Sequence, residues 1–280
     1  MKADLEIFVQ MAKNGKKNAL ENLVRHIQDW IYGLAIRMLY SPYDAEDATQ
    51  EILIKIITHL SDFREQSSFK TWMFRIATNH LLNYNRSSIK HRGISFEQWE
   101  SEIITENVGR WQEDLSEAQQ AIVVEEIRIS CLQGLLLCLD GGHRAAYVLT
   151  EIFDMNSQQG AHVLGVTSNA FRKRTSRARM KIRDFMLNNC SLINEENPCY
   201  CEKEAIHQIN KGEVNPHNTM FATHSCRIKN QKDTLLKLKE LDEIERIAML
   251  FKKNPNIASP DFSVSLINIL SSREFELLEI

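Results

Sequence analysis

Apolar residues recur every three to four positions along most of the chain, the period of a helix with one buried face. Leu20, Leu23, Ile27, Ile31, Leu34 and Met38 define such a face over about residues 19–40, after a shorter amphipathic stretch at 5–13 that stops at Asn14-Gly15. Ser41-Pro42 ends the long stretch, because proline cannot donate to the helical ladder and disfavours helical backbone just before it. A new helix is expected to open at Asp44, with acids in its first turn where the helix dipole favours them. Its apolar side is Ala48, Ile52, Leu53, Ile56, Ile57 and Leu60; its polar side is Asp47, Gln50, Glu51 and Lys55. After a polar break at 61–68, another helix is expected over 69–86.

The period fades over 93–115, which reads as a linker with at most local helix, and returns over 118–139. Asp140-Gly141-Gly142 reads as a turn. Three helices are then expected at 144–153, 157–164 and 168–187. Beyond 188 the pattern changes: Asn-Pro and Gly breaks precede two further helical patterns at 233–251 and 260–270. Only ten Gly and five Pro occur in 280 residues, and long stretches lack both, so the expected fold class is all-α. The expected organisation is a helical domain at 1–93, a linker at 94–117, a second helical domain at 118–188 and a mainly helical C-terminal extension at 189–280.

Charge sharpens this picture. The net charge of −3 argues against a protein that coats nucleic acid uniformly. Its distribution is uneven: seven of the twelve residues 172–183 are Lys or Arg, whereas 95–126 holds nine acids and one base, Arg110. Such asymmetry suits parts that meet different partners. The first residues form no apolar targeting segment, and no run of about 18 apolar residues exists, so no membrane partner is expected. Six cysteines at irregular spacing read as reduced thiols of a cytoplasmic protein. Cys199, Cys201 and His207, with Cys226 or His224, are weak candidates for a zinc set, since C-x-C is tighter than the usual zinc pair; no metal or other cofactor is expected.

Residues 157–183 carry the most information. A short helix meets Gly165-Val166-Thr167, and a second begins near Ser168. Gly165 supplies the left-handed backbone of a tight interhelical turn, and Thr167 or Ser168 can cap the second helix. That helix has an apolar side for docking and a cationic side, Arg172, Lys173, Arg174, Arg177, Arg179, Lys181 and Arg183, suited to a major groove. A solvated basic helix, or one that meets an acidic protein, would carry the same charge; the helix-turn-helix spacing favours DNA. Upstream, residues 69–80 interleave aromatics and cations, as single-stranded DNA requires, although Trp72, Phe74 and Ile76 also suit a core.

Together these segments resemble the extracytoplasmic-function (group 4) sigma factors of bacterial RNA polymerase. Asp44-Ala45-Glu46-Asp47-Ala48-Thr49-Gln50-Glu51 resembles the family's polymerase-binding helix, and the stretch from Phe63 to Asn79 its promoter-melting segment. The stretches from Leu139 to Phe153 and from Leu164 to Arg179 resemble its second DNA-binding domain. The likeness covers about residues 1–188. It implies a non-enzymatic subunit that binds core RNA polymerase, recognises promoter DNA and helps open it, and it leaves room for an anti-sigma factor as a further partner. Asp47, Gln50, Glu51 and Lys55 would face polymerase. Phe63, Trp72, Arg75, Asn79 and Arg86, with Lys90, would serve the downstream promoter element, Phe63 and Asn79 holding an unstacked base. Arg172, Lys173, Arg174, Ser176 and Arg177 would read the upstream element.

The chain departs from the family pattern at Gly160, where an apolar residue is usual, and at Asp140, where proline is usual. The extension around Asn197-Pro198-Cys199-Tyr200-Cys201 resembles one found in a subset of the family, and its apolar patterns suggest that it docks on the sigma domains and tunes their access. A stand-alone helix-turn-helix regulator would explain 140–188 but not 44–86. An enzyme finds no phosphate loop, HExxH or nucleophile motif.

Overall fold

The computed structural model describes residues 2–88, 95–103, 109–222, 241–255, 257–263 and 266. Among them lie the helices α1 (Lys2–Lys13), α2 (Lys17–Leu39), α3 (Pro42–Thr58), α4 (Phe69–Ser88), α5 (Phe96–Ser101) and α6 (Glu117–Leu137). They continue with α7 (Gly141–Glu151), α8 (Ser157–Leu164), α9 (Ser168–Asn189), α10 (Cys201–Asn210) and α11 (Glu243–Lys253), and a 3-10 turn spans Leu60–Asp62. No β-strand forms among the described residues; an isolated parallel bridge pairs Cys190 with Cys199. The all-α expectation therefore holds.

Two helix starts fall earlier than expected, for one reason. Ser41-Pro42, which ends α2, also begins α3: the Ser41 hydroxyl accepts from the Asp44 N–H at 3.2 Å, and Pro42 takes a first-turn position that needs no N–H. Likewise Gly141 and Gly142 are the first turn of α7 rather than a separate loop. The Asp140 carboxylate accepts from the Gly142 and His143 N–H groups at 3.0 Å each.

 The resulting cap (Asp140 to the backbone of Gly142 and His143) does what a proline in this turn could not, since proline has no side-chain acceptor. At the other side of the turn, the buried Arg144 guanidinium donates to the carbonyls of Leu136, Leu137 and Leu139 at 2.9, 3.2 and 2.9 Å, satisfying the end of α6. Burial lowers its pKa to about 10.

The chain forms two compact units. The first comprises residues 1–88, 156–171 and the described part of 258–280. Here α2 packs against α1, α3 and α4, and α8 packs against α4. The stripe expected from the sequence is the core: Leu23, Ile27, Ile31, Leu34 and Met38 of α2 meet water nowhere, and neither do Ile52, Leu53 and Ile56 of α3. Between α8 and α9, Gly165 is left-handed (φ 62°, ψ 36°) and the Thr167 hydroxyl accepts from the Ala170 N–H at 3.1 Å, so Thr167 is the cap. Gly160 has a packing reason: a Cβ there would lie 2.1 Å from Cζ of the buried Phe171 ring. From the extension, Ser259 donates to Asp29 through its N–H (3.2 Å) and its hydroxyl (2.7 Å), and the Phe262 N–H donates to Gln28 at 3.1 Å.

The second unit comprises residues 89–155 and 172–257. The expected linker contributes α5, closed by a capping box between Ser95 and Gln98. Trp99 lies so close to Gly134 of α6 that a Cβ there would fall 2.0 Å from its ring, and Phe96 meets Phe185 of α9 with centroids 5.9 Å apart. The extension up to residue 257 is built into this unit. Helix α10 packs on α6, where Leu115, Val123, Ile127, Ala205 and Ile209 form one apolar cluster. The buried Glu126 carboxylate accepts the N–H groups of Met220, Phe221 and Ala222 at 3.0, 2.7 and 2.7 Å. Helix α11 packs on α7, with Phe251 edge-on to Tyr147 (5.6 Å) and Lys252 bonded to Asp154 at 2.8 Å. Of the two late helical patterns expected, 233–240 and most of 260–270 lie outside the described residues.

Candidate nucleic-acid interface

The polar side of α3 stands as its sequence implies. Asp47, Glu51 and Lys55 are exposed, and Gln50 is half-buried. A helix turns once every 3.6 residues, so Asp47, Glu51 and Lys55 lie on one face. Lys55 Nζ is 2.6 Å from Nδ1 of His80 on α4, and a Glu51 carboxylate oxygen is 3.4 Å from its Nε2. Burial and then the Lys55 charge hold the His80 pKa below its ordinary value against the pull of Glu51. Burial, followed by the carboxylates of Asp44, Asp47 and Glu51, raises the Tyr84 phenol. The acids of α3 thus converge on one region beside His80, a face whose acids suit a cationic partner. Sequence reasoning passed over Tyr43, which is 70% exposed one turn before Asp47. The available signal was an aromatic residue off the apolar stripe.

On α4, Phe69, Met73, Phe74, Ala77 and Leu81 point inward, leaving Arg75 and Asn79 exposed. Trp72 is half-buried in a ring cluster, 5.4 Å from Phe63 and 5.6 Å from Phe69. Phe63, expected to help hold a base, lies largely inside the fold. Its ring is only 5% exposed, and the Lys13 ammonium donates to its carbonyl at 2.8 Å. In this structure Phe63 supports Trp72 from behind, because the 3-10 turn at Leu60–Asp62 directs it toward Phe69. The backbone of Arg86 belongs to α4, but its side chain and all of Lys90 lie outside the described residues.

On α9, Phe171, Thr175, Ala178 and Ile182 form the buried side. That period leaves Arg172, Lys173, Ser176 and Arg177 exposed together. Arg174 is set apart: it is half-buried, with its guanidinium 3.4 Å from where a Cβ on Gly142 would stand. Farther along, Arg179 Nε donates to Glu151 at 2.7 Å, so this cation serves the fold. Ser176 also borders a cleft of about 510 Å³ lined by Arg179, Met180, Ile244 and Ile247, which brings α11 alongside α9. Of the weak metal candidates, Cys199 and Cys201 adjoin other cysteines, whereas His207 lies about 9 Å along α10 from Cys201. His224 and Cys226 lie outside the described residues. No helix among the described residues is long and apolar enough to cross a membrane.

Comparison with known proteins finds relatives of both parts of the chain up to the extension. The profile of Sigma-70 region 2 matches residues 23–90, which span most of α2 together with α3 and α4. The ECF RNA polymerase sigma factor SigE of Mycolicibacterium smegmatis is 29% identical over 172 residues, 61% of this chain and 63% of that protein. The ECF RNA polymerase sigma-E factor of Escherichia coli is 27% identical over 183 residues, 63% of this chain and 91% of that protein. A solved structure of CnrH in complex with the cytosolic domain of CnrY is 24% identical, with a TM-score of 0.44, covering 64% of this chain and 94% of that one. The sequence matches extend well beyond residues 23–90, and over about three fifths of its length the chain is similar to extracytoplasmic-function sigma factors of RNA polymerase.

Proposed function

We propose that the chain binds core RNA polymerase through the acidic face of α3, reads the upstream promoter element with α9, and helps open the duplex with α4. The observation that carries this reading is the presence, in one chain, of an exposed acidic face at Asp47 and Glu51 and an exposed cationic face at Arg172, Lys173 and Arg177. A regulator acting on DNA alone needs only the second. On α4, the exposed Arg75 would meet backbone and the exposed Asn79 a base. Unstacking and unpairing a base costs a few kcal/mol, and hydrogen bonds and stacking to the extruded base offset that cost. No covalent step is required of any side chain, and the site of action is the cytoplasm, where polymerase and chromosome meet. An anti-sigma factor would compete for the same faces.

Run-off transcription with core polymerase over a promoter library tests the reading. The chain should confer promoter-specific initiation that core enzyme lacks. Asn79→Ala should reduce opening, followed by permanganate reactivity of unpaired thymines, more than it reduces recruitment. Failure of the purified chain to associate with core polymerase would overturn the proposal, whatever its affinity for DNA.

A further inference from the structure

Lys55 stands four residues after Glu51 on α3, the spacing and order at which a glutamate and a lysine pair best on a helix. Both side chains are exposed on one face, so an ion pair between them would be the ordinary outcome. Among the described residues Lys55 forms no ion pair with Glu51; its ammonium instead lies 2.6 Å from Nδ1 of His80 on α4. An ammonium can only donate, so Nδ1 accepts and the ring proton sits on Nε2. Nε2 is buried without a hydrogen bond, with a Glu51 carboxylate oxygen 3.4 Å away. The His80 side chain is 9% exposed against 59% for Glu51, and its ring stands 6.3 Å from that of Tyr84, one turn along α4. A packed imidazole thus holds the end of the flexible Lys55 stem, while the Glu51 carboxylate stays open to water.

We propose that His80 is a positioning residue of the polymerase-binding face: by holding the Lys55 ammonium at Nδ1 it keeps Lys55 off Glu51 and reserves that carboxylate for a cationic side chain of core RNA polymerase. The inference rests on the reading of α3 as the polymerase-binding helix. A Glu51–Lys55 pair would have to be broken before a partner's cation could take the carboxylate, and a closed pair steers no cation toward it. Lys55 then serves the face through His80 rather than by touching polymerase. His80 follows Asn79 in the chain, so the helix read as opening the duplex also sets the charge of the face that meets polymerase. Protonation of His80 takes up the Nδ1 lone pair, releases Lys55 and places a second cation beside Glu51. Burial first, and then the Lys55 charge, lower the His80 pKa against the pull of Glu51. The arrangement therefore holds at neutral pH and is lost as pH falls below the ordinary imidazole value of about 6.5. Lys55 and Glu51 of α3 are the charged groups acting on the ring, with the Tyr84 phenol beside it; α2 and α8, which also pack on α4, add none among the described residues.

The test measures the affinity of the full chain for core polymerase, by fluorescence anisotropy of the labelled chain. Glu51→Gln should weaken binding, which checks the reading of the face. His80→Phe keeps a ring against Tyr84 but offers no acceptor. It should weaken binding about two- to fivefold, the range of an exposed ion pair that must first be broken. His80→Gln, whose amide oxygen can accept from Lys55, should recover most of that loss. Lys55→Ala should gain more affinity on the His80→Phe background than in the wild type, and His80→Phe should add nothing to Glu51→Gln. Packing by His80 alone would produce neither coupling. Should His80→Phe fail to fold, a pH series keeps the test open: from about pH 7.5 to about pH 5.5 the wild type should lose affinity relative to His80→Gln. If Glu51→Gln binds as the wild type does, the reading of the face and the inference fall together. If Glu51→Gln weakens binding while His80→Phe does not, the inference alone is overturned. The same follows if Lys55→Ala acts equally on both backgrounds, or if the wild type and His80→Gln respond to pH alike.

Discussion

At the residue scale, two departures from the family pattern turn out to be structural choices. Helix propensity alone would make Gly160→Ala stabilising by about 1 kcal/mol. The Phe171 ring reverses the sign, because it occupies the space of the new methyl and is itself 1% exposed. Overpacking of this kind costs about 1–3 kcal/mol, so Gly160→Ala should lower the stability of the first unit in a denaturant melt. Asp140 replaces proline in order to cap α7. Partial burial works against its charge, but the His143 N–H and imidazole and the Gly142 N–H outweigh it and hold the carboxyl below its ordinary range. A depressed carboxyl stabilises the fold above its unfolded pKa, about 3.9, and loses that contribution as pH falls through the lower folded value. Asp140→Ala should therefore cost about 1 kcal/mol at neutral pH. Asp140→Asn, which keeps an acceptor, should cost less at neutral pH and should flatten the acid limb of a stability-against-pH curve. Gly165 could be read from sequence because a turn demands its backbone; Gly160 could not, since its reason is a ring eleven residues away across a helix packing.

At the element scale, the apolar stripes of α2, α3 and α9 were legible because a 3.6-residue period and a buried face are the same fact seen twice. Helix starts were less legible: Ser41-Pro42 and Asp140-Gly141-Gly142 read as breaks, yet each is also a cap. Helix α5 was hidden by its acidity and shortness, as its order comes from Trp99 against Gly134 and from Asn189 donating to Glu100 at 3.1 Å. On α9 the sequence supplied seven cations, of which the family resemblance picked out Arg172, Lys173, Arg174 and Arg177; packing separates them further. Arg179 is occupied by Glu151 and Arg174 lies against α7, while Arg172, Lys173 and Arg177 face water. Each phosphate neutralised on duplex DNA contributes about −0.9 to the slope of log K against log salt. Arg177→Ala should make that slope shallower by about 0.9 if it meets a phosphate, and Arg179→Ala should leave it unchanged while lowering stability. Fluorescence anisotropy on an upstream-element duplex at several salt concentrations separates the two.

At the scale of the whole molecule, the extension decides how far the minimal sigma plan can stand alone here. The sequence suggested that it docks on the sigma domains; residues 189–257 fall in the second unit and the described part of 258–280 in the first. Ile193, Ala205, Ile209, Phe221, Ile247, Leu250 and Phe251 are all buried, and removing them would strip α6 and α7 of a covered face. Glu126 makes the dependence measurable without truncation. Its carboxylate accepts three backbone N–H groups, two of them buried, and an orphaned buried donor costs about 1–3 kcal/mol. Glu126→Ala should therefore destabilise the second unit by more than about 2 kcal/mol, and Glu126→Gln, which keeps one oxygen acceptor, by less. A chain ending at Asn189 should lose the unfolding transition of the second unit in calorimetry, and with it duplex binding, while the first unit keeps a transition of its own. The α9 face is present in that shortened chain, so its silence would come from a helix that no longer has a fold to hold it. If the shortened chain instead melted and bound the upstream duplex as the full chain does, the buried side chains of the extension would be covering a surface that tolerates water, and its contacts would have to act on polymerase or DNA rather than on stability.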